Sequence, residues 1–205
     1  MIVQSMSNEE IVKQLLFDFD IVKRKAEYSL QDVRRTIIKT KAYPFIKAYD
    51  YVTPKTKNNW IYILEVRTKN DSFVTPINYH YTDIGLRAAM VTSKLDIIFY
   101  TGHFFARYAE REGLNLPNPI EKMKSFFILN PHINYKTIEK LEDGVFEIFG
   151  TVTTGVVLGK RIAHNLMVCN TYLSNEILKG NQVGVSSQQK AELDYYISKR
   201  NAGKI

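Results

Sequence analysis

Three apolar runs in the last third of the chain, VFEIFGTVT, GVVLGKRI and NLMVCNTYL, are separated by only a few polar or glycine-containing residues. A crossover connection between parallel strands needs about a dozen residues or more, so runs this closely spaced are joined by hairpins and form an antiparallel meander. The same texture begins earlier. WIYILEVRT and FVTPINYHYT, both rich in β-branched and aromatic residues, flank the polar break KNDS, as strands do around a turn. Leu86 to Thr92 and Leu95 to Tyr100 read as two further strands, with Thr92, Ser93 and Lys94 supplying the turn. Sheet is therefore expected from Asn59 to about residue 180.

Helices are expected before, within and after this stretch. Ser7 and Glu10 have the spacing of a capping box, and Ile11, Leu15, Leu16, Phe19 and Val22 follow at helical intervals, which predicts a helix over about residues 8–27. Ser29 and Asp32 suggest a second helix through Ile37 and Ile38 that stops before Pro44, because proline disfavours a helical residue ahead of it. A short helix is expected from His103 to near Gly113, another over Pro119 to Leu129, and a third over Pro131 to Leu141. Leu193, Tyr196 and Ile197 predict a last helix over residues 186–201. The expected fold is α+β, a single domain over residues 1–205. It has an N-terminal helical layer (1–50), a sheet-containing body (59–180) with a curved, mainly antiparallel sheet, and the C-terminal helix.

Charge and cysteine usage narrow the function classes. Lys and Arg outnumber Asp and Glu by 28 to 21, a net charge of +7, which favours polyanionic partners such as nucleic acid. Cys169 is the sole cysteine, so an intrachain disulfide and a thiolate zinc site are excluded. A cytoplasmic setting is expected, because MIVQSMSNEE lacks the basic start and apolar core of a signal peptide. No apolar run approaches the roughly 18 residues that would span a bilayer, and no membrane partner is expected.

The stretch YTGHFFARYAER carries the chemistry. At about 100° per residue, His103, Arg107, Glu110 and Arg111 fall on one arc of a helix, and Phe104, Phe105, Tyr108 and Ala109 fill the rest. Guanidinium forks suit phosphate, and an imidazole exchanges a proton near neutral pH. The plainer reading is a solvated helix face on which Glu110 pairs with Arg107.

His103-x-x-x-Arg107-x-x-Glu110-Arg111 after a strand, a following helix, and a meander ending in Asn170-Thr171-Tyr172 resemble the small toxin-like ribonucleases of the barnase and RelE type. The nearer likeness is to BrnT-like and related families, and it covers about residues 95–180. The resemblance implies a metal-independent endoribonuclease in which the RNA 2′-hydroxyl attacks the adjacent phosphate, with an antitoxin or an assembly as protein partner and no cofactor. His103 would then be the general acid or base, Arg107 and Arg111 would stabilise phosphoryl charge, and Glu110 would orient an arginine. Thr171 and Tyr172 would contact phosphate or assist proton transfer.

Secondary candidates for nucleic-acid contact are His80, within INYHYT, and the group Lys160, Arg161 and His164 around a turn after Gly159. For each, a strand histidine or a solvated hairpin tip is the competing reading. TTGVVLGKR is not a nucleotide-binding P-loop, since Arg161 stands where the hydroxyl residue after the lysine belongs. The four histidines lack metal-ligand spacing. Cys169 reads as a buried apolar residue. The alternative to an enzyme is a noncatalytic nucleic-acid-binding or structural module using the same arginines.

Overall fold

The capping box at Ser7 forms: its side chain accepts from Glu10 N–H, and the Glu10 carboxylate accepts from Ser7 N–H at 2.8 Å. The helix it starts, α1, runs unbroken over Asn8–Thr40. This was established in a computed structural model that describes residues 1–93, 96–141 and 144–178, together with 187, 188 and 191. The expected division into two N-terminal helices is corrected. No glycine or proline lies between the two predicted segments, and Ser29 caps nothing; its hydroxyl meets the Tyr62 hydroxyl at 3.0 Å. The helix stops at Lys41, which takes a left-handed conformation (φ 55°), three residues ahead of Pro44.

The chain divides into two compact units, Met1–Gly102 and His103–Ile205. Among the described residues there are three helices and nine strands, an α+β fold in which the strand pairs of each unit are antiparallel. The first unit holds α1 and a meander of five strands: β1 (Phe45–Val52), β2 (Asn59–Thr68), β3 (Asp71–Thr82), β4 (Gly85–Ser93) and β5 (Asp96–Tyr100). Sheet thus begins at Phe45, not Asn59. FIKAYDYV carries Lys47 and Asp50 on exposed positions of a half-buried strand, and these charges dilute the apolar signal that marks a fully buried one. β2 is buried over Trp60–Val66, which explains its near-continuous apolar sequence.

Helix α1 turns Ile11, Leu15, Phe19, Val22 and Ala26 inward, one stripe at helical spacing. Asp18 lies on the same stripe and is fully buried. It accepts from Asn58 Nδ2 at 2.7 Å, from the Thr56 hydroxyl at 2.8 Å and from Trp60 Nε1 at 3.3 Å. A buried carboxylate needs such donors to replace its water. They come from the β1–β2 connection and the start of β2, so this network fixes α1 to the sheet.

The second unit holds α2 (Gly102–Arg111, entering from the last residue of the first unit), α3 (Pro119–Leu129) and a second meander: β6 (Asn134–Lys140), β7 (Phe146–Thr151), β8 (Gly155–Ala163) and β9 (Leu166–Ser174). β6 corrects the helix expected over Pro131 to Leu141. NYKTIEK pairs with β7 from Asn134↔Thr151 onward, and that ladder overrides a weak local helical preference. Phe104, Phe105 and Tyr108 of α2, Phe126 and Phe127 of α3, and Tyr172 of β9 form one buried aromatic cluster. Its ring pairs are edge-to-face, with centroids 4.9 Å apart for Phe104 and Phe126 and 5.2 Å for Tyr108 and Tyr172, the preferred geometry for aromatic rings. The expected helix over residues 186–201 falls, apart from three positions, outside the described residues. Among those described, no helix is long and apolar enough to cross a membrane.

Candidate functional site

The amphipathic split of α2 is realised. Phe104, Phe105, Tyr108 and Ala109 are buried and His103 and Glu110 are exposed. Gly113, at φ +63°, ends the helix, and Leu114 N–H bonds back to the Ala109 carbonyl at 2.8 Å, a left-handed C-terminal stop suited to glycine. On the outer face Arg107 links two partners: its Nε donates to His103 Nε2 at 3.4 Å, and its Nη1 meets Glu110 Oε2 at 3.0 Å. The Arg107 and Glu110 side chains keep 41% and 65% of their exposure. A pair this wet contributes roughly 0–1 kcal/mol to folding, so the face is available for another use.

Arg111 departs from this chain. Its guanidinium turns to β9 and donates from Nη1 to the backbone carbonyl of Tyr172. The expected stripe of four therefore separates into an outer trio, His103, Arg107 and Glu110, and one arginine anchored to the sheet.

The two β9 candidates do not join the outer trio. Pairing with β8 slips between Leu158↔Thr171 and Gly159↔Cys169, so Asn170 is an extra residue in the ladder. The bulge reverses the inside-outside phase beyond it. Cys169 and Tyr172 are both buried, Asn170 is exposed, and Thr171 takes the face opposite Tyr172. Thr171 and Tyr172, both expected to contact phosphate or assist proton transfer, therefore face different surroundings. The Tyr172 ring is sealed in the aromatic cluster, and its hydroxyl bonds to Glu112 Oε1 and, at 2.8 Å, to Thr154 Oγ1. Burial, followed by the Glu112 hydrogen bond and charge, pushes that phenol far above its ordinary pKa, which keeps it a neutral donor to a carboxylate.

The secondary candidates are dispersed. His80 of β3 is buried at 6% exposure, its Nδ1 lies 3.2 Å from Asn78 Oδ1, and it stands opposite Arg87 of β4. Burial, with Arg87 adding to it, lowers its pKa to about 4. It is a neutral strand histidine and presents no cation to a phosphate. Lys160 and Arg161 are consecutive in β8 and point to opposite sides. Arg161 donates from Nε to the His164 carbonyl at 3.1 Å, closing the β8–β9 turn. The three therefore do not form one phosphate grip. Cys169 is fully buried, and desolvation raises its thiol pKa well above the ordinary range, leaving it inert.

Sequence reasoning missed Glu112, Thr154 and the segment Ser174 to Glu176. With Arg111 and Gly113 these line a cavity of about 560 Å³. No motif marks them, since they come from a helix end, a hairpin turn and the end of a strand. Comparison of the chain with protein-family models, with curated proteins and with solved structures found no match.

Proposed function

We propose that this chain is a noncatalytic RNA-binding protein whose phosphate contact is the outer face of α2. The observation that carries this reading is the pairing of the His103 imidazole with the exposed Arg107 guanidinium, in a chain of net charge +7. Arginine presents several N–H donors in one plane, and a phosphate replaces the solvent-exposed Glu110 carboxylate on it with little loss. Cleavage by 2′-hydroxyl attack requires an acid and a base flanking one phosphate. Here Tyr172 is engaged by Glu112 and Thr171 is on the other strand face, so the β9 groups do not join His103, and the carboxylate that stands beside it, Glu110, is paired with Arg107.

The test is fluorescence anisotropy of labelled single-stranded RNA titrated with the protein at several salt concentrations. Binding that weakens with salt, and weakens further in Arg107→Gln, supports the proposal; affinity unchanged by that variant refutes it.

The endoribonuclease reading keeps one specific support, the direct contact of an imidazole with a guanidinium. It predicts cleavage of RNA in the presence of a chelator and loss of cleavage in His103→Ala.

A further inference from the structure

Opposite charges line one cavity of the second unit without neutralising each other. The cavity, about 560 Å³, is walled by Arg111 to Gly113, by Thr154, and by Ser174 to Glu176. Among the described residues Arg111 forms no ion pair with Glu112 or Glu176: its bond to protein goes to the Tyr172 carbonyl, and Glu112 is held by the Tyr172 hydroxyl. One guanidinium N–H is thereby used and the other donors remain. Each carboxylate likewise retains accepting capacity.

The wall is built from below. Asn130, 3% exposed, accepts at Oδ1 from both Thr154 N–H (2.9 Å) and the Thr154 hydroxyl (3.0 Å). Thr154 Oγ1 in turn contacts the Tyr172 hydroxyl that steadies Glu112. Gly155 is required for this arrangement, because a Cβ there would stand 2.1 Å from the Leu173 carbonyl oxygen and 2.7 Å from the Tyr172 hydroxyl. Side chains fixed in advance hold a ligand without an ordering penalty at binding.

The chemistry of the lining selects the ligand. Among the described residues the lining carries no aromatic side chain, and the ring of nearby Tyr172 is buried among Phe104, Tyr108 and Phe126, so these residues offer no face on which a base could stack. We propose that the cavity binds a small zwitterion of the amino-acid class, its carboxylate on Arg111 and its ammonium on Glu112 and Glu176, with the Thr154 and Ser174 hydroxyls beside them. This site is separate from the outer face of α2 and stands or falls independently of RNA binding.

The test uses the full chain. Saturation-transfer NMR against the protein amino acids identifies a binder, and calorimetry then compares it with a simple amine and a simple carboxylate that each lack one of its charges. We expect saturable binding of at least one amino acid, and a loss of about tenfold or more for each single-charge analogue. Glu176→Gln should weaken binding by a similar factor; Glu176 lies on an exposed 3₁₀ turn, and among the described residues it makes no hydrogen bond or ion pair to another wall residue. Arg111→Gln should abolish it. Absence of saturable binding by every amino acid, or affinity unchanged in Glu176→Gln, would overturn the proposal even if Arg111→Gln fails to fold.

Discussion

Trp60 donates its indole N–H to the buried carboxylate of Asp18 at 3.3 Å, across 42 residues of chain. Trp60 is the sole tryptophan and is fully buried, so its fluorescence reports directly on the joint between α1 and β2.

Replacing Asp18 with alanine leaves Asn58 Nδ2, the Thr56 hydroxyl and Trp60 Nε1 without their shared acceptor. Removing one partner from a buried network exposes the desolvation penalty of the others, here about 2–4 kcal/mol. Denaturation of Asp18→Ala followed by Trp60 emission should show that loss. A change below about 0.5 kcal/mol, the level of ordinary surface substitutions, would mean the network is not what fixes the helix to the sheet.

Stability of the first unit should depend on pH through His80. Its pKa is lowered to about 4 in the folded protein, first by burial and then by Arg87, against an ordinary 6.5. The unfolded chain therefore takes up the proton first. The contribution of neutral His80 is complete above pH 6.5, is lost progressively as pH falls toward 4, and does not change further below that. A gap of this size amounts to about 3 kcal/mol. The checking measurement is the urea midpoint by Trp60 fluorescence across this window, in the parent and in His80→Gln; the variant should give the flatter profile, and superimposable profiles would exclude His80 as the cause.

Tyr172 and Thr171 are neighbours with opposite surroundings, so their simplest variants should diverge. Tyr172→Phe keeps the aromatic contacts but removes the hydroxyl between Glu112 and Thr154, and should lower the melting temperature through a loss of about 1–2 kcal/mol. Thr171→Val, on a half-exposed position of the other face, should change stability by less than about 0.5 kcal/mol. Equal losses would place both side chains in similar environments, contrary to the bulge at Asn170.

How far these features could be read in advance depends on the distance over which their causes act. The Ser7 capping box, the apolar stripe of α1, the hairpins of β7 to β9 and the two-sided character of α2 are local patterns, and each is present. Two errors had different sources: β6 is a strand because β7 pairs with it, whereas α1 continues through Ser29 because nothing nearby interrupts it. Asp18 had a legible signal, an acid inside the stripe Leu15, Phe19 and Val22, but its partners are about forty residues away. The separation of Thr171 from Tyr172 rests on the single-residue slip at Asn170, and a slip in register leaves no trace in composition. Glu112, Thr154 and Glu176 meet only through the fold.

The most direct measurement is the affinity of the intact protein for single-stranded RNA as a function of salt, in the parent, in Arg107→Gln and in a control, Lys160→Gln, on the β8 strand. An RNA contact through α2 predicts a steep fall of affinity with salt in the parent, with a shallower slope and weaker binding for Arg107→Gln. The Lys160→Gln protein should behave as the parent. No RNA binding by the parent, or an Arg107→Gln titration indistinguishable from it, would contradict RNA recognition by this helix face.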